Sequence, residues 1–160
     1  MNELIDMQQV VKELGKRPRG RSCFVFTQDK MERHGWAKQL AEMSGVEHLD
    51  LVSYFIEHRK LAEKVSSFDV NECFKLFTEE AKSEVLIVTG IEFLKAMWSS
   101  QDRSMEQLAT KMEMWNKKPA ILMVMQYDKS LAEREYSRFP QLRMIIHQNK
   151  TKALKSVQEL

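Results

Sequence analysis

Two runs constrain this chain more than anything else in it. Glu84-Val85-Leu86-Ile87-Val88-Thr89, closed by Gly90, and Ala120-Ile121-Leu122-Met123-Val124-Met125-Gln126, opened by Pro119, are apolar at almost every position. A strand with one wet face alternates apolar and polar residues. A strand with no polar side must be covered on both faces. Cys23-Phe24-Val25-Phe26 reads as a third buried strand. Val46 to Leu51 alternates as a fourth, and Leu142-Arg143-Met144-Ile145-Ile146 supplies a fifth.

The segments between these strands carry apolar residues at helical spacing. Leu4, Met7, Val11 and Leu14 form one stripe, with Gly15 expected as its C-cap. Trp36, Ala37, Leu40, Ala41 and Met43 form the next, stopped by Gly45. Val70, Cys73, Phe74, Phe77 and Ala81 form a third, and Met105, Leu108, Ala109, Met112 and Trp115 a fourth. Residues 53–66 read as a charged helix, and a short helix is expected around Leu131 to Tyr136. Strands and helices thus alternate about five times. That pattern implies an α/β fold, a three-layer sandwich with five mainly parallel strands and right-handed crossovers. The 160 residues suit a single domain spanning 1–160. Five glycines and three prolines are too few to turn a many-stranded β fold.

Composition narrows the function classes. Lys and Arg number 25 against 23 Asp and Glu, a near balance that argues against a dedicated polyanion binder. Cys23 and Cys73 are too few for a disulfide framework and lack zinc-site spacing. His34, His48, His58 and His147 form no i, i+4 pair, so no metal is expected. No apolar run approaches the ~20 residues of a membrane span. The opening MNELIDMQQVV carries acids and no apolar stretch, unlike a secretory leader, so a cytoplasmic location is expected.

In such sheets ligands sit at the carboxyl ends of the strands, which singles out the loops after Phe26, Thr89 and Gln126. A buried strand, an eight-residue loop and a helix near the amino terminus have the layout of a phosphate-binding loop, G-x-x-x-x-G-K-[ST]. Laid after the first strand, Thr27 and Glu32 fall at the glycines, Arg33 at the lysine and His34 at the hydroxyl residue. The spacing fits and no residue does. A glutamate at the second glycine brings negative charge toward an anion, and a histidine is no oxygen ligand for Mg²⁺. The strand that should end in a magnesium-holding acid ends instead in Thr89, with Glu92 the nearest carboxylate. Mg-nucleotide catalysis is therefore not expected, and no cofactor is assigned.

The element order resembles the small P-loop protein of bacterial phage-exclusion (BREX-type) defence systems. "ERHGWAKQLAEMSG" is similar to that family's post-loop helix, sharing Ala41, Glu42 and Gly45. "VLIVTGIEFL" resembles its acidic strand at Ile91 and Glu92, and "FPQLR", Phe139 to Arg143, its late His-Pro-x-x-Arg stretch. The resemblance implies the fold and a defence context, with the ATPase motifs degenerate. A degenerate subunit of an AAA-type assembly, similar to inactive clamp-loader subunits, fits the same motifs.

Two further clusters stand out. Lys16, Arg17, Arg19 and Arg21 form a basic turn that could touch nucleic acid, joined by Lys150, Lys152 and Lys155 in the tail, though neither run interleaves aromatics. Met97 and Trp98, in an expected polar linker, and Met114 and Trp115, at a helix end, are candidates for a protein interface. The expectation is a non-catalytic subunit or regulator with a protein partner, such as a larger ATPase or defence-complex subunit. The alternatives are an atypical NTPase using Arg33, Glu92 and Lys38, or a nucleic-acid-binding module.

Overall fold

The computed structural model describes residues 4–28, 33–64, 68–98, 104–136 and 145–154. Five strands form one sheet: β1 (Ser22–Thr27), β2 (Glu47–Asp50), β3 (Val85–Thr89), β4 (Ala120–Gln126) and β5 (Ile145–His147). Their order is β2-β3-β4-β1-β5, and every pairing is parallel. The register sets Phe24 opposite Met123 and Ile145, and Ile87 opposite Leu122. The two apolar runs occupy the interior of this order. Every residue of β3, and β4 as far as Met125, is buried.

Eight helices surround the sheet among the described residues: α1 (Met7–Lys16), α2 (Arg33–Ser44), α3 (Leu51–Glu57), α4 (Arg59–Ala62), α5 (Val70–Glu80), α6 (Ile91–Trp98), α7 (Ser104–Met114) and α8 (Lys129–Ala132). The β1-to-β2 connection runs outward past β4 and β3, whereas every later connection steps back the other way. With right-handed crossovers the first helix layer and the later ones must lie on opposite faces. Accordingly α1 packs on α2 against β3 and β4, while α7 packs with α5, α6 and α8 and against β1. The result is the expected three-layer α/β sandwich. No helix is long and apolar enough to cross a membrane among the described residues.

Several local expectations need correction. Gly15 does not cap α1, which continues to Lys16 and ends at Arg17. A Cβ on Gly15 would meet Val85 Cγ2 at 3.0 Å, so this glycine serves the close approach of α1 to β3. Gly45 does stop its helix, at φ +68°. The expected linker at Met97 and Trp98 is the end of α6, whose Ile91, Leu94 and Trp98 face the core. The short helix expected around Leu131 to Tyr136 is α8, which starts at Lys129 and ends at Ala132. Of the last expected strand, residues 142–144 lie outside the described residues.

Trp98 and Trp115 belong to the core and not to a surface. Trp98 is 2% exposed and its indole N–H donates to the Phe68 carbonyl at 2.8 Å. Trp115 is 5% exposed, donates to the Pro119 carbonyl at 2.7 Å, and lies 5.2 Å from the Phe74 ring. A buried indole must place its one donor, and the fold supplies a carbonyl to each. Met97 is half-buried, which leaves Met114 as the exposed member of the four candidate interface residues.

Candidate functional site

The strand order creates a switch point. The chain leaving β1 heads toward β2, and the chain leaving β4 heads the opposite way, past β1 to β5. The two connections diverge, so the crevice lies at the carboxyl ends of β1 and β4, the favoured ligand position in open α/β sheets. Thr27, Thr89 and Glu92 all lie at this edge. Thr27 and Thr89 stand two strands apart, about 10 Å. Glu32 lies outside the described residues, as do the side chains of Arg33 and His34, whose backbone opens α2.

Each described residue of the expected nucleotide site has a structural partner. Thr27 is buried; its hydroxyl donates to the Met125 carbonyl at 3.3 Å, and its own carbonyl accepts the Tyr127 N–H at 2.9 Å. Glu92, in the first turn of α6, accepts the Gln126 N–H on Oε2 at 2.6 Å. The geometry explains why. The β3–β4 ladder stops at Val88 and Met123, while β4 runs on to Gln126, and its even-numbered N–H groups point toward β3. Glu92 replaces the missing strand as acceptor.

Thr89 sits where a magnesium-holding acid would be, 2% exposed. Its hydroxyl shares a 2.8 Å hydrogen bond with His48 Nε2 and donates to Asp50 Oδ1 at 3.5 Å. Asp50 Oδ1 also accepts the Val52 N–H at 3.3 Å, and its Oδ2 accepts the Ser53 hydroxyl at 2.8 Å, which caps α3. Gly90 turns the chain at φ +87°, and a Cβ there would come within 2.8 Å of Asp50 Oδ1. The register brings this about, because Asp50 pairs with Thr89 and places His48 two residues back on the same face.

Beside this lies Asp128, 7% exposed, which caps α8 through the Leu131 N–H at 3.1 Å and accepts the Ser130 hydroxyl at 2.5 Å. It also pairs with Lys95 of α6. Burial pushes its carboxyl upward, but the hydrogen bonds from Lys95, Ser130 and the Leu131 backbone outweigh that and hold it below the ordinary 3.8. A cavity of about 340 Å³ opens between α6, α7 and the end of β4, lined by Glu92, Lys95, Ala96, Met105, Gln126 and Tyr127. Tyr127 and His147, both exposed, lie with ring centroids 6.0 Å apart over the buried Phe26 ring.

Neither cysteine can serve here as a nucleophile. Burial drives the Cys23 thiol up to about 12, only partly offset by Arg17, and pushes Cys73 upward as well.

At the opposite pole the basic turn divides. Arg21 is 9% exposed, and its guanidinium donates to the carbonyls of Lys117 at 3.0 Å, Gly15 at 3.1 Å and Arg17. It is a clamp between the end of α1 and the start of β4, not a surface cation. Lys16 and Arg19 are exposed and Arg17 is half-buried. Lys150 and Lys152 do not join them: residues 150–152 bond to Ile5, before α1, whereas the basic turn follows α1, about 15 Å away. Lys155 lies outside the described residues.

Sequence reasoning overlooked Asp50, Asp128, His48 and Lys95. The two aspartates carried a readable signal, an Asp immediately before a helical segment. His48 and Lys95 carried none, because their partners are fixed by strand register and helix packing. No family model matches the chain, and no curated protein and no solved structure matches it.

Proposed function

We propose that this chain is a non-catalytic, P-loop-like α/β protein that acts as a subunit or regulator through contact with another protein, such as a larger ATPase or defence-complex subunit. One observation carries this reading. At the carboxyl edge, where a nucleotide's phosphates and magnesium would lie, Asp50, Glu92 and Asp128 are all hydrogen-bond acceptors for the chain's own groups. Catalysis of phosphoryl transfer needs a carboxylate turned toward the metal and a residue that positions the nucleophile. Here the strand that should carry the first ends in buried Thr89. Glu92 commits its Oε2 to the Gln126 N–H at 2.6 Å, which fixes the carboxylate against the end of β4.

The test has two arms on the purified chain. Calorimetric titration with millimolar MgATP is expected to give no saturable heat, and phosphate release to stay at background. Affinity purification of the tagged chain from its native host is expected to yield one protein in a fixed ratio that remains bound through gel filtration. Steady Mg²⁺-dependent hydrolysis, abolished by Glu92→Gln, would instead make the chain an NTPase. A chain that elutes alone would remove the subunit role.

A further inference from the structure

The amino-terminal pole carries a surface that no single stretch of sequence reveals. One guanidinium, that of Arg21, bonds carbonyls at positions 15, 17 and 117. Carbonyls bonded to different nitrogens of one guanidinium lie within about 8 Å of each other. The clamp therefore brings Lys16, Arg17 and Arg19 together with Lys117 and Lys118, about a hundred residues later in the chain. The Arg21 N–H donates to the Trp115 carbonyl at 2.9 Å, and the Ile121 N–H donates to the Arg21 carbonyl at 2.9 Å, which ties the two segments together along β1 and β4.

We propose that this pole is a docking surface for the phosphate backbone of a nucleic acid. Lys16, Arg19, Lys117 and Lys118 are exposed, and Pro18 and Asn116 are exposed beside them. Glu84 forms a 2.9 Å ion pair with Lys118, both groups being 63% exposed. Such exposed pairs contribute little and exchange readily for a phosphate. Met114, at the end of α7, is the exposed large apolar side chain of these two segments, one against five cations. Trp115, the aromatic residue of this segment, turns inward. Protein interfaces are built around a desolvated apolar or aromatic core, whereas backbone recognition of nucleic acid needs cations on a firm frame and little else. The lack of exposed aromatics points to sequence-independent contact with duplex phosphates, not to stacking on unpaired bases.

The proposal is independent of the protein-partner reading above, which concerns the other end of the sheet. The experiment is fluorescence anisotropy of a labelled duplex of about 20 bp with the full chain, across a series of salt concentrations. Binding is expected to weaken with salt, with a log–log slope of about 3–4 in magnitude. Arg19→Glu and Lys117→Glu are each expected to lower that slope by about 1 and to weaken binding to unrelated sequences equally. Both positions are exposed, so the thermal midpoint should not change. Lys150→Glu with Lys152→Glu, at the far end of α1, is expected to leave binding unchanged. No binding to duplex DNA or RNA at the lowest salt overturns the proposal. So does binding that survives both reversals at the pole, or binding to anionic vesicles in place of nucleic acid.

Discussion

The two ends of the sheet satisfy their backbone groups with opposite charges. In a parallel sheet, helices begin beyond the carboxyl ends of the strands and end beside the amino ends. Helix starts leave N–H groups without partners, and helix ends leave carbonyls. The carboxyl edge answers with acids: Asp6 caps α1, Asp50 caps α3, Asp69 caps α5 and Asp128 caps α8. The amino-terminal pole answers with donors. Arg21 takes the carbonyls that close α1, and the Ser22 hydroxyl donates to the Met112 carbonyl in the last turn of α7. Glu47 breaks the pattern, accepting the Lys82 N–H and, at 2.7 Å, the Ser83 N–H from a loop between a helix and a strand. The contrast teaches that a carboxylate at the crevice of such a fold needs no ligand to account for it.

Breaking the pole should have the larger effect. Arg21→Ala removes a buried donor from three carbonyls and is expected to lower unfolding free energy by about 3 kcal/mol. Urea unfolding would show a lower midpoint at unchanged slope. Arg21→Lys should recover only about a third of the loss, because one ammonium lacks the planar fork that reaches both segments. Equal stability of the Lys and Arg forms would mean that charge alone, and not the clamp geometry, holds this end.

At the carboxyl edge the effects divide among several acids, so each is smaller. Glu92→Ala is expected to cost about 2 kcal/mol and to raise the exchange rate of the Gln126 amide proton specifically. Glu92→Gln keeps an acceptor oxygen and should restore most of both. A Gln variant as unstable as the Ala variant would point to the negative charge of Glu92 and not to its acceptor role.

The smallest effect is a pH effect. The carboxyl of Asp128 is held below its ordinary value, so its contribution is fully present above that value and is lost as pH falls through the lower, folded value. Asp128→Asn keeps a capping side chain and should change stability little at neutral pH. The acid limb of the stability profile, below a pH of about 4, should become shallower. An unchanged acid limb would show that the Lys95–Asp128 pair is no stronger than an exposed one.

Much of this architecture can be read from particular residues. The apolar runs at 85–89 and 120–126 cannot be wetted on either face, so they must lie inside a sheet covered by helices. The stripe Val70, Cys73, Phe74 and Phe77 can be buried only on one side of a helix, and α5 buries it. Elsewhere the same rules mislead. Met97 and Trp98 look like a polar linker because their neighbours are polar, yet α6 turns Trp98 inward to reach the Phe68 carbonyl. Gly15 looks like a stop because glycine often is one, yet its reason is Val85, seventy residues away. The run Lys16 to Arg21 looks uniform, yet one of its cations is buried and the others gain Lys117 and Lys118 as neighbours.

What the sequence determined by itself was the set of elements, the parallel sheet and the burial of its central strands. Those follow from local periodicity and from the cost of wetting apolar surface, which act residue by residue. Only the tertiary structure decided which charges are structural and which face outward. A hydrogen bond depends on where strand register and helix packing bring a distant donor or acceptor, and no local pattern encodes that position. Asp50 meets Thr89, Glu92 meets Gln126 and Arg21 meets Lys117 only because the strands stand in the order they do.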